Sequence, residues 1–284
     1  MANSHIDLTE FKNTSPNKLR EFYKINKIIR AEEKAFNLLT EKQFPRKVCK
    51  NILTPEIEIA LDIPNNFIKA KRFYKTNFKD TGLTCWEPTA HPSARNDAYY
   101  RYCIDQIGNK EGLWAEFGVK FGRSTNELVN IKKEKYPDSK KPLYGFDSFI
   151  GLPEHTMWGR VGHMSTEGKT PDIDGAEFYK GWFKETIPTF NQNHSESLAL
   201  LHIDCDIYSS TVTVLEGIKD KIVKGTVILF DDIISYSPTK KKWCGEEHEY
   251  KAFMEFVKKY EVKYKWLASV LNASQAACLI EKIK

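Results

Sequence analysis

The chain has 284 residues, of which 41% are hydrophobic and 29% charged, which suits a globular protein of one large domain or one domain with a substantial extension. Its formal net charge of +5 is spread over scattered lysines, densest at Lys240, Lys241 and Lys242, and no stripe of basic and aromatic residues marks a nucleic-acid surface. No segment reaches the roughly 20 apolar residues of a membrane span, and residues 1–11 are polar and acidic, without the apolar core of a secretion signal. The six cysteines contain no Cys-x-x-Cys pair, which argues against zinc and favours free thiols in a reducing cytoplasm.

In chain order, residues 1–95 read as a helical N-terminal extension or cap, and 96–284 as the main domain. Apolar residues at helical spacing, Phe22, Ile25, Ile28, Ile29 and Phe36, predict a helix over 19–39. Residues 81–97 carry Gly, Pro, His and Asn and read as loop, and 96–107 as a helix. From Leu113 the order turns to strand, helix, strand, helix, which signals a parallel α/β sheet. Strands are expected at 113–117, 143–146, 177–182, 198–203 and 226–230. A helix is expected from Ser124, with Glu127 completing a capping box. Residues 148–175 form a connection long enough to be a lid. A helix over 247–259 precedes two closing strands, 264–271 and 276–283, the last of them antiparallel.

Acidic residues end two of these strands. His202-Ile-Asp-Cys-Asp206 closes one apolar run and Phe230-Asp-Asp232 the other. Ligands of open parallel sheets bind beyond the carboxyl ends of the strands. Asp204, Asp206, Asp231 and Asp232 are therefore expected to converge. Such a cluster repels itself unless a cation is present, and all-oxygen ligation suits magnesium or another hard divalent ion. Upstream, Glu116-Phe-Gly118-Val-Lys-Phe-Gly122-Arg-Ser124 runs a strand through a glycine turn into a helix N-terminus. The spacing is not that of a dinucleotide site, and the acid before Gly118 suits a ligand bearing an ammonium group. Asp147, ending the next strand, is placed to accept hydrogen bonds from ribose hydroxyls.

These segments together resemble the macrocin O-methyltransferase family: Glu-Phe-Gly-Val-x-x-Gly-x-Ser, Gly-Phe-Asp-Ser-Phe-x-Gly-Leu-Pro, Lys-Gly-Trp-Phe-Lys-Glu-Thr-Ile-Pro, His-Ile-Asp-Cys-Asp-Ile-Tyr-Ser-Ser-Thr and Phe-Asp-Asp. The resemblance spans roughly residues 113–260. It implies a Rossmann-like class I methyltransferase sheet that uses S-adenosylmethionine and methylates sugar hydroxyls of natural products. By the same resemblance Glu116, Gly118, Gly122 and Ser124 hold the methionine end of the cofactor. Asp147 takes its ribose with Ser148 beside it, and Trp182 lies against the adenine or in the core. Asp204, Asp231 and Asp232 match the family's metal ligands, with Asp204 also its base. Asp206 is left as a supporting group or a cap for the helix near Ser210. His202, in a buried strand, and His248, which follows the acid pair and Glu246, are further candidates for proton transfer, each weighed against a structural role.

The sequence also departs from the family: Ile233 follows the acid pair where an aromatic is common, and 235–245 is long and lysine-rich. The acceptor, a small molecule or glycan, is therefore left open. A methyltransferase acting on a phenol, amine or carboxylate is one alternative, and a non-catalytic nucleoside-binding module is another. A nicotinamide oxidoreductase is disfavoured by the missing glycine pattern. The chain is compatible with self-association into a homo-oligomer, and neither nucleic acid nor membrane is expected as a partner.

Overall fold

A computed structural model describes residues 73, 76–78, 81–85, 92–108, 111–155, 159–233, 236–237, 242–243, 248–270 and 274–284. The helix expected at 19–39 lies outside them, as does most of the N-terminal extension. The first elements are β1 (Leu83–Cys85) and α1 (Pro92–Ile104), followed by β2 (Leu113–Phe117), α2 (Arg123–Lys135), β3 (Leu143–Asp147) and β4 (Ala176–Lys180). Next come α3 (Phe183–Asn193), β5 (Leu198–Ile203), α4 (Tyr208–Gly217) and β6 (Val227–Phe230). A two-strand ribbon, β7 (Tyr236–Ser237) with β8 (Lys242–Trp243), precedes α5 (His248–Lys259), β9 (Lys263–Val270) and β10 (Gln275–Lys282).

Among the described residues the main sheet has eight strands, in the order β1-β9-β10-β6-β5-β2-β3-β4. β2, β3, β4, β5 and β6 pair in parallel, and β10 runs antiparallel to both β6 and β9. This is the expected class I methyltransferase sheet with an antiparallel last strand. The central strands β2, β5 and β6 are buried at every position, as strands covered by helices on both faces must be. One core layer stacks Phe117 on Phe146 and packs Phe230 against Phe253 of α5. The other places Trp114, Leu200 and Leu229 against Tyr99, Tyr100 and Ile104 of α1.

Four expectations are corrected. The stretch read as loop over 81–97 contains β1, which pairs in parallel with β9, and the start of α1. Phe73 and Phe78 also belong to the sheet's core, with Phe73 edge-on to Tyr250, so this unit reaches further toward the N-terminus than residue 96. The capping box at Ser124 is absent: α2 begins after Gly122, whose φ of 75° is left-handed, and no side chain caps it. Asp206 does not cap α4 either, since that cap position is Ile207 and has no side-chain hydrogen bond.

Candidate active site

The strand ends create the site. After β2 the chain turns at Gly118, with φ of 96°, against the segment that leaves β5. A β-carbon there would collide with the carbonyl oxygen of Asp204, so only glycine lets the two segments approach. Asp147, at the end of β3, fixes the turn. Its Oδ2 accepts from the N–H groups of Val119 and Lys120 at 2.9 and 2.8 Å, and its Oδ1 accepts from Phe149 N–H at 2.7 Å. A carboxylate has about four acceptor positions, so this arrangement leaves capacity for a ligand.

A cavity of about 610 Å³ opens beyond these ends. Gly118, Asp147, Ser148 and Trp182 line one part of it, and Asp204, Asp206, Asp231 and Asp232 line another. The described part of the connection over 148–175 contributes Leu152, Pro153 and Met164 to the lining. Its limbs are tied by Leu152 N–H to His163 O and Gly162 N–H to Leu152 O, both at 2.9 Å. Ser209 at the start of α4 donates to Glu154 of the same connection at 3.0 Å.

Five expected residues do not line the cavity: Glu116, Gly122, Ser124, His202 and His248. Glu116 is fully buried beneath the turn, where Thr125 Oγ1 donates to one oxygen and His202 Nδ1 lies 3.0 Å from the other. His202 also meets the ring of Tyr100 edge-on at 5.7 Å. This histidine is thus satisfied inside the core, the structural alternative weighed for it. His248 is the first residue of α5 and half-buried.

Carboxylate oxygens of Asp204, Asp206 and Asp232 lie within 4.8 Å of one another. This set differs from the one implied by the resemblance, with Asp206 in the place of Asp231. Successive residues at a strand end face opposite ways, and Asp231 turns to Gln275 of the neighbouring β10, which donates to it at 2.5 Å. Asp206, two residues beyond Asp204 and so turned the same way, joins the cluster with its backbone at a left-handed φ of 60°. Burial raises the pKa of Asp204, and the neighbouring charges of Asp231, Asp206 and Glu249 push it further. Burial likewise raises Asp232, reinforced by Asp206 and Asp231. It also raises Asp206 and Asp231, against the opposing charges of Lys120 on the former and His202 on the latter.

Sequence reasoning missed several contributors. Lys120 and Lys184 bring positive charge to the cavity wall, and Ser209, Ser210 and Thr213 bring hydroxyls from α4. Glu249 lies behind the cluster, fully buried.

Comparison with known proteins fits this geometry. The family model described as Macrocin-O-methyltransferase (TylF) matches residues 172–260. The demethyldecarbamoylnovobiocin O-methyltransferase of Streptomyces niveus is 36% identical over 199 residues, covering 62% of this chain and 74% of that protein. The chain belongs to the macrocin O-methyltransferase family. This family member is accordingly an S-adenosylmethionine-dependent O-methyltransferase. A tetracenomycin-C rhamnosyl 4'-O-methyltransferase of Streptomyces olivaceus is 24% identical over 157 residues, covering 46% of this chain and 58% of its own. In fold, the methyltransferase matches a crystal structure of a calicheamicin methyltransferase at a TM-score of 0.51, with 20% identity and 98% of each chain covered.

Proposed function

We propose that this methyltransferase transfers the methyl group of S-adenosylmethionine to a hydroxyl on the sugar of a glycosylated natural product, assisted by a divalent cation. The observation that carries the reading is the meeting, in one cavity, of the Gly118–Asp147 turn with the converging carboxylates of Asp204, Asp206 and Asp232. Two relatives, named for novobiocin and for a rhamnosyl tetracenomycin, support a sugar-bearing acceptor. Ser209, Ser210 and Thr213 offer that acceptor hydrogen-bonding partners.

The cofactor supplies a sulfonium methyl, which an oxygen nucleophile takes in line as the thioether leaves. The backbone at Gly118 and Val119 would hold its methionine end, Asp147 its ribose and Trp182 its adenine. The residues present also fit a hard divalent cation. The donors are all oxygen, and Glu249 Oε1 and Gln275 Oε1 beside them are buried acceptors with no hydrogen-bond partner among the described residues. Such an ion would lower the pKa of an acceptor hydroxyl. Asp204 faces the cavity and is the proposed base, a role that neither His202 nor His248, both off the cavity, has to fill. Cys103, Cys205 and Cys278 are free and buried, which supports a reducing cytoplasmic setting; among the described residues no helix is long and apolar enough to cross a membrane. Calorimetry tests the donor: S-adenosylmethionine or its demethylated product should bind and NAD should not, and tight NAD binding would overturn the reading.

The raised carboxyls predict how the cation affects stability. In the unfolded chain these groups ionise near pH 3.9, roughly their unperturbed value, whereas in the folded protein burial holds their protons to higher pH. Above about pH 4 the folded state therefore binds more protons than the unfolded state, and stability without a cation falls as pH rises toward the folded values. A cation binds the ionised cluster and offsets that loss. Magnesium should leave the melting temperature nearly unchanged near pH 4 and raise it increasingly toward pH 7. A shift of equal size at both pH values would contradict the assignment.

A further inference from the structure

The glycine turn after β2 closes with Gly122 N–H donating to Val119 O at 2.8 Å, which makes Lys120 and Phe121 its two central residues. Both break the usual chemistry of a turn. Lys120 holds a left-handed φ of 54°, a conformation that turns normally give to Gly, Asn or Asp. Phe121 stands 69% exposed at the tip, although burying such a side chain is worth roughly 1.5–3 kcal/mol. Departures of this kind from local rules concentrate at functional sites.

The two residues form one wall of a second cavity, of about 330 Å³. Ser165, Thr166, Thr170 and Pro171 of the connection over 148–175 line it as well. That part of the connection is tied down, since Phe149 O accepts from Thr166 N–H at 3.1 Å and from Gly168 N–H at 2.8 Å. Lys120 lines this cavity and the cavity of the acidic cluster alike, so the two are neighbours. Its Nζ lies 5.8 Å from the centre of the Phe121 ring and makes no hydrogen bond or ion pair among the described residues. Lys169, the other cation of the second cavity, is paired with Glu167 at 3.0 Å. The second cavity thus offers an aromatic face, hydroxyls and one cation without an ion pair.

We propose that the second cavity is an outer subsite for the acceptor: it takes a planar aromatic aglycone bearing an acidic group, packed on Phe121 with its anion beside Lys120, while the sugar reaches the acidic cluster. The inference rests on the sugar-acceptor reading above and names the class of aglycone. The first cavity has to hold the cofactor and the sugar together, so the aglycone must leave it, and at Lys120 a neighbouring cavity begins. Ring-to-ring contact with Phe121 stabilises an aromatic aglycone beyond the area it buries. A wholly apolar one would cover the Lys120 charge without pairing it, which is unfavourable.

Binding to the complex with the demethylated cofactor tests the subsite without turnover. 2-Naphthoate and its neutral amide probe the aglycone alone, with calorimetry as the readout. The wild type should bind naphthoate and F121A should bind it about tenfold more weakly. K120M should lose about three- to fivefold for the acid and nothing for the amide. A 6-carboxy-2-naphthyl rhamnoside should bind about tenfold more tightly than methyl rhamnoside, and F121A should erase that gain. S-adenosylmethionine affinity, unchanged in F121A, checks that the turn is intact; its loss would give Phe121 to the donor and overturn the subsite. Equal naphthoate affinity in wild type and F121A would overturn it too. A carboxynaphthyl rhamnoside no tighter than methyl rhamnoside would sink the subsite and leave the sugar-acceptor reading standing. Naphthoate held at Phe121 in a protein that binds neither rhamnoside would count against the sugar acceptor, and the aglycone assignment would go with it.

Discussion

An Asp232→Asn enzyme should bind S-adenosylmethionine with unchanged affinity and lose methyl transfer by about 10²–10³-fold, the usual effect of removing one electrostatic contributor to a transition state. The change keeps side-chain shape and removes one of the three converging carboxylates. It should also cost affinity for a divalent cation, so part of the loss should be recovered at high magnesium. Single-turnover kinetics with a labelled methyl donor separates the chemical step from binding. If the variant instead lost cofactor affinity with its chemistry intact, Asp232 would belong to the donor side of the cavity. Asp231→Asn makes a useful companion. Asp231 is turned to Gln275, so its effect on cation affinity should be smaller than that of Asp232→Asn.

Asp147→Ala should have the second large effect, on the other side of the cavity. The wild-type carboxylate holds three backbone N–H groups of the two loops that form the donor end. It also lines the cavity where a ribose would sit. Hydrogen bonds to a charged group contribute roughly 1.5–3 kcal/mol each, so losing those to a ribose and loosening the turn should weaken cofactor binding by about 10²-fold or more. Titration calorimetry measures it directly. Manganese affinity should be preserved, because Asp147 takes no part in the acidic cluster. Unchanged cofactor affinity would remove Asp147 from the donor site.

Much of this fold is legible in the residues alone, for a physical reason. Buried parallel strands need uninterrupted apolar runs, and Leu198–Ile203 and Val227–Phe230 are such runs ended by acids. The three-residue β1 was missed because Leu-Thr-Cys carries too little pattern among Gly, Pro and His, and its place depends on pairing with β9. The start of α2 was misread because Ser124 and Glu127 fit a capping pattern, whereas the backbone enters the helix through left-handed Gly122. Convergence of acids was foreseeable from strand ends, but which three converge was not. Alternation turns Asp206 the same way as Asp204, and those two do meet; what no local pattern shows is that Asp231 is held by Gln275 of β10. Glu249 was invisible for another reason. An acid in the first turn of an amphipathic helix is normally a solvated group favoured by the helix dipole, and only tertiary packing buries this one.

The most direct test is methyl transfer from isotopically labelled S-adenosylmethionine to a glycoside and to its matching aglycone, each run with chelator and again after magnesium is restored. Labelled product should form only from the glycoside and only with magnesium, with the label on a sugar oxygen. Label on the aglycone, or full turnover in excess chelator, would contradict cation-assisted methylation of a sugar hydroxyl.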